Sequence, residues 1–193
     1  MMKKLGLFTL AILVSGLAFS QATWTIDKAH SNIGFAVTHM VISETEGEFE
    51  NFEASVIAEN DDFHDAQVQF TADVNSINTD NQKRDEHLKS DDFFSAAKYP
   101  QIKFNGKLVK NGDQYELVGD FTMRDVTKKV KFPVTYNGSI KDPYGNTRAG
   151  FKINGLINRK DYGLKWSATM ETGGLVVGEE VDLICNVEII KKG

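Results

Sequence analysis

The side chains that could do chemistry are few and scattered. Four histidines, His30, His39, His64 and His87, lie far apart, with neither an H-x-H nor an H-E-x-x-H spacing. A three-histidine metal site would have to be assembled from separate strands, without the local pairing that usually announces one. His39 continues the apolar alternation of Ile33, Phe35 and Val37. It reads either as a core histidine bonded to backbone or as a polar contact at the end of an apolar interior. Arg84, Asp85, His87 and Leu88 share one short stretch. At helical spacing Arg84 and Leu88 fall on one face. The arginine is then either half of a weak surface ion pair or a partner for a phosphate or polar head group. Arg159-Lys160-Asp161-Tyr162-Gly163 interrupts a strand pattern. It reads as an Arg–Asp clamp and a glycine turn fixing a corner of the sheet. The single cysteine, Cys185, falls on the apolar face of the last strand and reads as an inert buried thiol. One cysteine also excludes an internal disulfide framework and any multi-thiolate metal site. There is no G-x-S-x-G elbow, no glycine-rich phosphate loop and no dinucleotide fingerprint. No catalytic residue, metal ligand or cofactor site is assigned.

The elements that must position these residues are strands. Ile33, Phe35, Val37 and His39 alternate with polar or small neighbours, as do Val68, Phe70, Ala72 and Val74. The same period places Ile102, Phe104 and Leu108 on one face, then Tyr115, Leu117, Phe121 and Met123. Val130, Phe132, Val134 and Tyr136 follow, then Phe151, Ile153 and Ile157, then Val181, Leu183, Cys185, Val187 and Ile189. With Phe49 to Ala58 this predicts eight long strands. Asn111-Gly112, Asn137-Gly138, Asp142 to Asn146 and Gly173-Gly174 mark reversals between them. No helix-length pattern separates most strands, so neighbours pair antiparallel around one shared apolar interior. The exception runs from Thr79 to Pro100. Thr79-Asp80-Asn81-Gln82 has capping-box spacing, and Ser90 can cap a second turn carrying Phe93 and Phe94. This helical insert should lie across an opening of the sheet. Thirteen phenylalanines suit a fold with a large apolar interior to line or fill. An eight-stranded barrel can do either.

The chain has 193 residues, 41% hydrophobic and 25% charged, with a net charge of −5. That is the balance of one ordinary globular domain, and without a basic surplus nucleic acid is a poor partner. Lys3 and Lys4 precede an uncharged run from Leu5 to Phe19, and Ala18 and Ser20 are small. This predicts a signal peptide over 1–20, cleaved before Gln21, rather than a membrane anchor, which needs ~20 apolar residues. Loss of two lysines leaves 20 basic against 27 acidic side chains over 21–193, a net of −7. Such a chain has no charge affinity for an anionic lipid surface.

Several separated segments resemble one family. Trp24-Thr-Ile-Asp27-Lys-Ala-His30-Ser31-Asn-Ile33-Gly-Phe35-Ala-Val37-Thr-His39-Met40 and Gly47-Glu-Phe49 are similar to the opening of YceI-like polyisoprenoid-binding proteins. Arg84-Asp85-Glu-His87-Leu88, Asp92-Phe93-Phe94 and Tyr99-Pro100-Gln-Ile102-Lys-Phe104 resemble its central signature. Phe121 to Val130 and Arg159 to Gly163 resemble later segments, so the likeness runs from Trp24 to Ile189. The resemblance implies an all-β, extended, lipocalin-like barrel of eight antiparallel strands with a short helical insert over an opening. It implies a periplasmic or secreted binding protein, not an enzyme, that stores or transports a long-chain isoprenoid or similar amphiphile. On that basis the tail would lie against Phe35, Val37, Phe70, Leu88, Phe93, Phe104 and Phe132. His39, Arg84 and Asp85 would face the head group. A second copy of the chain, as a homodimer, is admitted as a partner. Two other readings stand beside it: an enzyme acting on an isoprenoid in the same cavity, and a packed interaction barrel without a guest.

Overall fold

The computed structural model describes residues 21–171 and 173–192. The signal peptide expected over 1–20 lies outside them. Eleven strands follow in chain order: β1 (Ala22–Ile26), β2 (Asn32–His39), β3 (Ser43–Phe49), β4 (Phe52–Ala58), β5 (Ala66–Asp73) and β6 (Ile77–Asn78). After the helix α1 (Gln82–Lys89) come β7 (Gln101–Asn111), β8 (Gln114–Met123), β9 (Val126–Lys141), β10 (Thr147–Asn158) and β11 (Val177–Lys191). Three pairs are halves of one interrupted strand. A 3₁₀ turn at Lys28–His30 divides β1 from β2, Glu50 and Asn51 divide β3 from β4, and a second 3₁₀ turn at Val74–Ser76 divides β5 from β6. Joined, they make eight. All pairings are antiparallel, and β11 meets β10 on one side and both β2 and β1 on the other. With Leu183 opposite Phe35 and Ile189 opposite Ile26, the sheet closes on itself. The eight-stranded barrel with one short helix is the fold of this chain; β1 and β11 close the ring, while β6 pairs only with β3 and lies against α1.

Local sequence and structure part company in four places. Ser43 to Glu48 carries no apolar alternation, yet it pairs with β2 as most of β3, turning only Thr45, Gly47 and Phe49 inward. The hairpin between β7 and β8 reverses at Gly112-Asp113, because Asn111 is already paired with Gln114. Asn137-Gly138 makes no reversal. It sits inside β9 opposite a register shift at Gly150/Phe151, with Gly138 at φ 105°, as a bulge that bends the strand. The helix is capped by Asn81, whose Oδ1 accepts from the Arg84 amide at 3.1 Å. Thr79, expected as the cap, is buried beneath α1 and bonded to its side chains.

Two clusters divide the interior. At one end Trp24, Phe63, Tyr115, Phe151 and Ile189 pack together. At the other, beneath α1, Phe49, Phe93, Phe94, Phe121, Tyr162 and Leu164 do so. Glycines shape the wall between them. A Cβ on Gly155 would stand 2.7 Å from the Phe132 ring, and one on Gly47 would stand 2.5 Å from the Phe35 ring. Each phenylalanine therefore lies flat across a glycine of the neighbouring strand instead of projecting to the axis.

Candidate functional site

Inside a closed barrel, an inward side chain that keeps accessible surface must face empty space. Val68, Phe70, Leu117, Ile153, Leu183 and Cys185 all point inward, all pack against the core, and none is fully buried. The space they face is a cavity of about 210 Å³. Its lining runs from Phe151 and Ile189 at the Phe63 end to Leu88, Phe93 and Leu164 beneath α1. Along β10, Phe151 to Ile157 alone covers roughly 20 Å at ~3.3 Å per residue. The volume is below the ~300–1,000 Å³ usual for compact drug-sized sites, so the space is a narrow bore rather than a chamber. Its wall is almost entirely carbon. Phe35, Val37, Phe70, Leu88, Phe93, Phe104 and Phe132 all line it.

His39, Arg84 and Asp85 do not line it. His39 sits half-exposed on the barrel rim, opposite Ser43 and Val177, so it is not a buried core histidine. Arg84 and Asp85 do not pair with each other. Arg84 Nε donates to Thr79 Oγ1 at 2.8 Å, and the Thr79 amide donates to Asp85 Oδ1 at 3.0 Å. Both side chains thus fasten α1 to the strand before it. His87 faces Asp92 at 2.9 Å and packs edge-on against Phe93 and Trp166.

The charged residue that reaches the cavity is Arg159, and it is 3% exposed. Its guanidinium donates to four backbone carbonyls: Gly178 at 2.7 Å, Leu164 at 2.7 Å, Trp166 at 2.8 Å and Val177 at 3.2 Å. The Arg–Asp clamp expected here does not form: Arg159 holds the corner through backbone carbonyls, and Asp161 pairs instead with Lys128. Burial without a bonded carboxylate pulls the Arg159 pKa down. Gly163, at φ 79°, supplies the left-handed cap that ends this turn. Sequence reasoning missed Arg124. Its Nη1 donates to the carbonyls of Phe93 at 3.1 Å and Gly163 at 2.6 Å, and its guanidinium stacks on Tyr99. It ties the α1 segment to the Arg159 corner. No periodicity singles it out, because it occupies a left-handed turn position with φ 55° between β8 and β9.

Cys185 lines the bore, and burial pushes its thiol up to about 11. Among the described residues one group approaches metal-ligand geometry, formed by Asp27, His30 and Glu188. Arg148 occupies it: Nη1 lies 2.6 Å from Asp27 Oδ2 and also bonds Glu188, while Nε lies 2.6 Å from Asp142. That network closes the outer seam between β1, β10 and β11, and it holds Asp142 well below the usual carboxylate range.

A family model described as the YceI-like domain matches residues 24–189. A UPF0312 protein of Staphylococcus aureus (strain N315) is 36% identical over 166 residues, covering 86% of this chain and 95% of that protein. The crystal structure of the Campylobacter jejuni YceI protein is 31% identical with a TM-score of 0.69, covering 86% of this chain and 96% of that one. A polyisoprenoid-binding domain from Saccharophagus degradans shares the fold at 15% identity, with a TM-score of 0.61 over 88% of this chain and 98% of its own. Among the described residues no helix is long and apolar enough to cross a membrane.

Proposed function

This chain belongs to the YceI-like family, and on that premise we propose that it binds a long-chain isoprenoid or similar amphiphile in the bore, as a store or carrier. The observation that carries the reading is the wall itself: a closed barrel whose inward phenylalanines and aliphatics leave space unfilled. The domain from Saccharophagus degradans, named for polyisoprenoid binding, has the same fold. An apolar void stays dry and favours an apolar guest, and each methylene moved into it from water contributes about 0.8 kcal/mol. Ordering a flexible tail offsets part of that gain. A carbon wall cannot hydrogen-bond a head group, so the head lies beyond the bore, at the α1 end, where Arg84, Asp85 and His39 stand. The role is binding rather than turnover. His39 and His87, the side chains most able to serve a catalyst, lie off the wall of the bore. Export to the periplasm by the 1–20 segment would bring the barrel beside lipid.

Mass spectrometry of an organic extract tests this, using residues 21–193 exported to the periplasm and purified without detergent. A stoichiometric long-chain lipid is expected. An empty extract from a protein that also takes up no added geranylgeraniol would favour the packed interaction barrel instead.

A further inference from the structure

The hairpin between β2 and β3 ends in Met40-Val41-Ile42, and these three apolar side chains are 41%, 65% and 88% exposed. The backbone is committed to showing them. Met40 and Val41 have φ of 50° and 67°, a conformation that asparagine and glycine favour and that is an outlier for a β-branched residue. At Phe63 the same strain is offset by burial of the ring, whereas here it holds apolar side chains in solvent where Asn-Gly would cost nothing. The tip is anchored. The Met40 amide donates to Val176 O at 2.9 Å, and Val41 packs beside Met170 and Gly174 of the loop leading into β11. It is also continuous with the bore, because Val37 and Val177 line the cavity and His39, the next inward residue, pairs with Val177.

We infer that Met40, Val41 and Ile42 form a docking tip that inserts into an uncharged lipid surface when the barrel exchanges its guest. The inference rests on the lipid-binding reading above, since a guest of that kind dissolves in a bilayer and hardly at all in water. Charge selects the surface. Glu44 and Glu171, both exposed, flank the tip, and the chain carries a net −7 over 21–193, so an anionic bilayer repels what a zwitterionic one accepts. Three side chains give a weak and reversible contact, which suits a carrier that must leave again.

Flotation with phosphatidylcholine vesicles, and transfer of NBD-labelled geranylgeraniol to them, test the tip in residues 21–193. Wild-type protein should float with these vesicles when empty, less so when phosphatidylglycerol is added. Its transfer rate should rise with vesicle concentration. Ile42→Asp and Ile42→Ser should each lower flotation, and Ile42→Asp should slow transfer at least tenfold at unchanged affinity for the probe. Tyr144, 89% exposed on the turn at the Phe63 end, is the control, and Tyr144→Asp should alter neither by more than twofold. A transfer rate indifferent to vesicle concentration, equal behaviour of Ile42→Asp and wild type, or an equal loss in Tyr144→Asp overturns the inference. So does sedimentation showing that Ile42→Asp dissolves a dimer while flotation is unchanged. If the protein takes up no probe, the lipid-binding reading fails, and flotation of the empty protein still decides the tip.

Discussion

The two ends of the barrel are closed by different physics. At one end the loop after β4 drives Phe63 into the barrel, where it is fully buried within 5.0 Å of Trp24, 5.2 Å of Phe151 and 5.7 Å of Tyr136, ring centre to ring centre. Phe63 adopts φ 58° to get there, and the Trp24 indole N–H is buried without a partner. Aromatic burial outweighs both costs. At the other end Phe93 and Phe94 are packed in the core after α1, but α1 itself fully buries none of its residues and sets only Leu88 against that core. It is otherwise held by directed polar bonds: Thr79 to Arg84 and Asp85, His87 to Asp92, and Arg124 to Phe93 O. Water can replace such bonds nearly one for one, whereas it cannot replace a packed ring. Lifting α1 therefore costs less than withdrawing Phe63, and on the proposed lipid-binding reading this is the end at which a guest would enter and leave.

The largest effect expected breaks the plugged end. Phe63→Ala should remove about 3–5 kcal/mol of stability, the usual cost of a cavity left by a core phenylalanine, read from the urea midpoint at unchanged m-value. A loss below ~1 kcal/mol would mean the loop, not the ring, closes that end. Arg159→Met comes next. It keeps the aliphatic volume but leaves four carbonyls without donors, so about 2–3 kcal/mol should be lost. Faster hydrogen exchange should appear around Leu164 and Trp166 while the Phe63 end stays protected. Uniform loosening of both ends would dissolve the distinction between them.

The middle of the barrel gives a subtler test through Cys185. Its raised pKa, about 11, means that alkylation by N-ethylmaleimide should keep climbing with pH past 9 and level only near 11. The sign for stability is the opposite. Below pH 9 the thiol is neutral in both states and contributes nothing. Between 9 and 11 only the unfolded chain releases the proton, so this group lowers stability as pH rises. Added geranylgeraniol should protect the thiol from alkylation, and undiminished labelling at saturation would show that the guest does not fill the bore.

The barrel was legible because an inward face repeats every second residue, and Phe35, Val37, Phe70, Phe104 and Phe132 declare it. The polar residues were not legible by that route. Arg84 and Leu88 share a helical face in projection, yet Leu88 reaches the bore while Arg84 stops at Thr79, because a contact five residues back in the chain captured its guanidinium. Arg159 looked like half of an ion pair, since sequence displays side-chain partners and hides backbone carbonyls. Arg124 gave no signal at all. β3 was hidden for a related reason: its inward positions before Phe49 are Thr45 and Gly47, and Gly47 is small because the Phe35 ring occupies the space of a side chain there.

The smallest effect concerns the α1 end alone, and it separates charge from anchorage. Arg84 is exposed and water-screened, so its help to a polar head group is worth ~0.5–1 kcal/mol, or roughly two- to fivefold in Kd. Arg84→Ala should therefore weaken a prenyl phosphate by that factor and leave a plain hydrocarbon unchanged in a fluorescence titration. The substitution also frees Thr79, which loosens α1 by itself. Thr79→Val separates the two, because it removes the hydroxyl bonds to Arg84 and Asp85 while keeping the guanidinium and the backbone bonds to both. If Thr79→Val weakens both ligands equally and Arg84→Ala does the same, the arginine serves to hold α1 over the bore and the head group is bound elsewhere. If only Arg84→Ala discriminates between the two ligands, the charge faces the head group. The α1 end then supplies both the way in and the selection that a carbon wall cannot make.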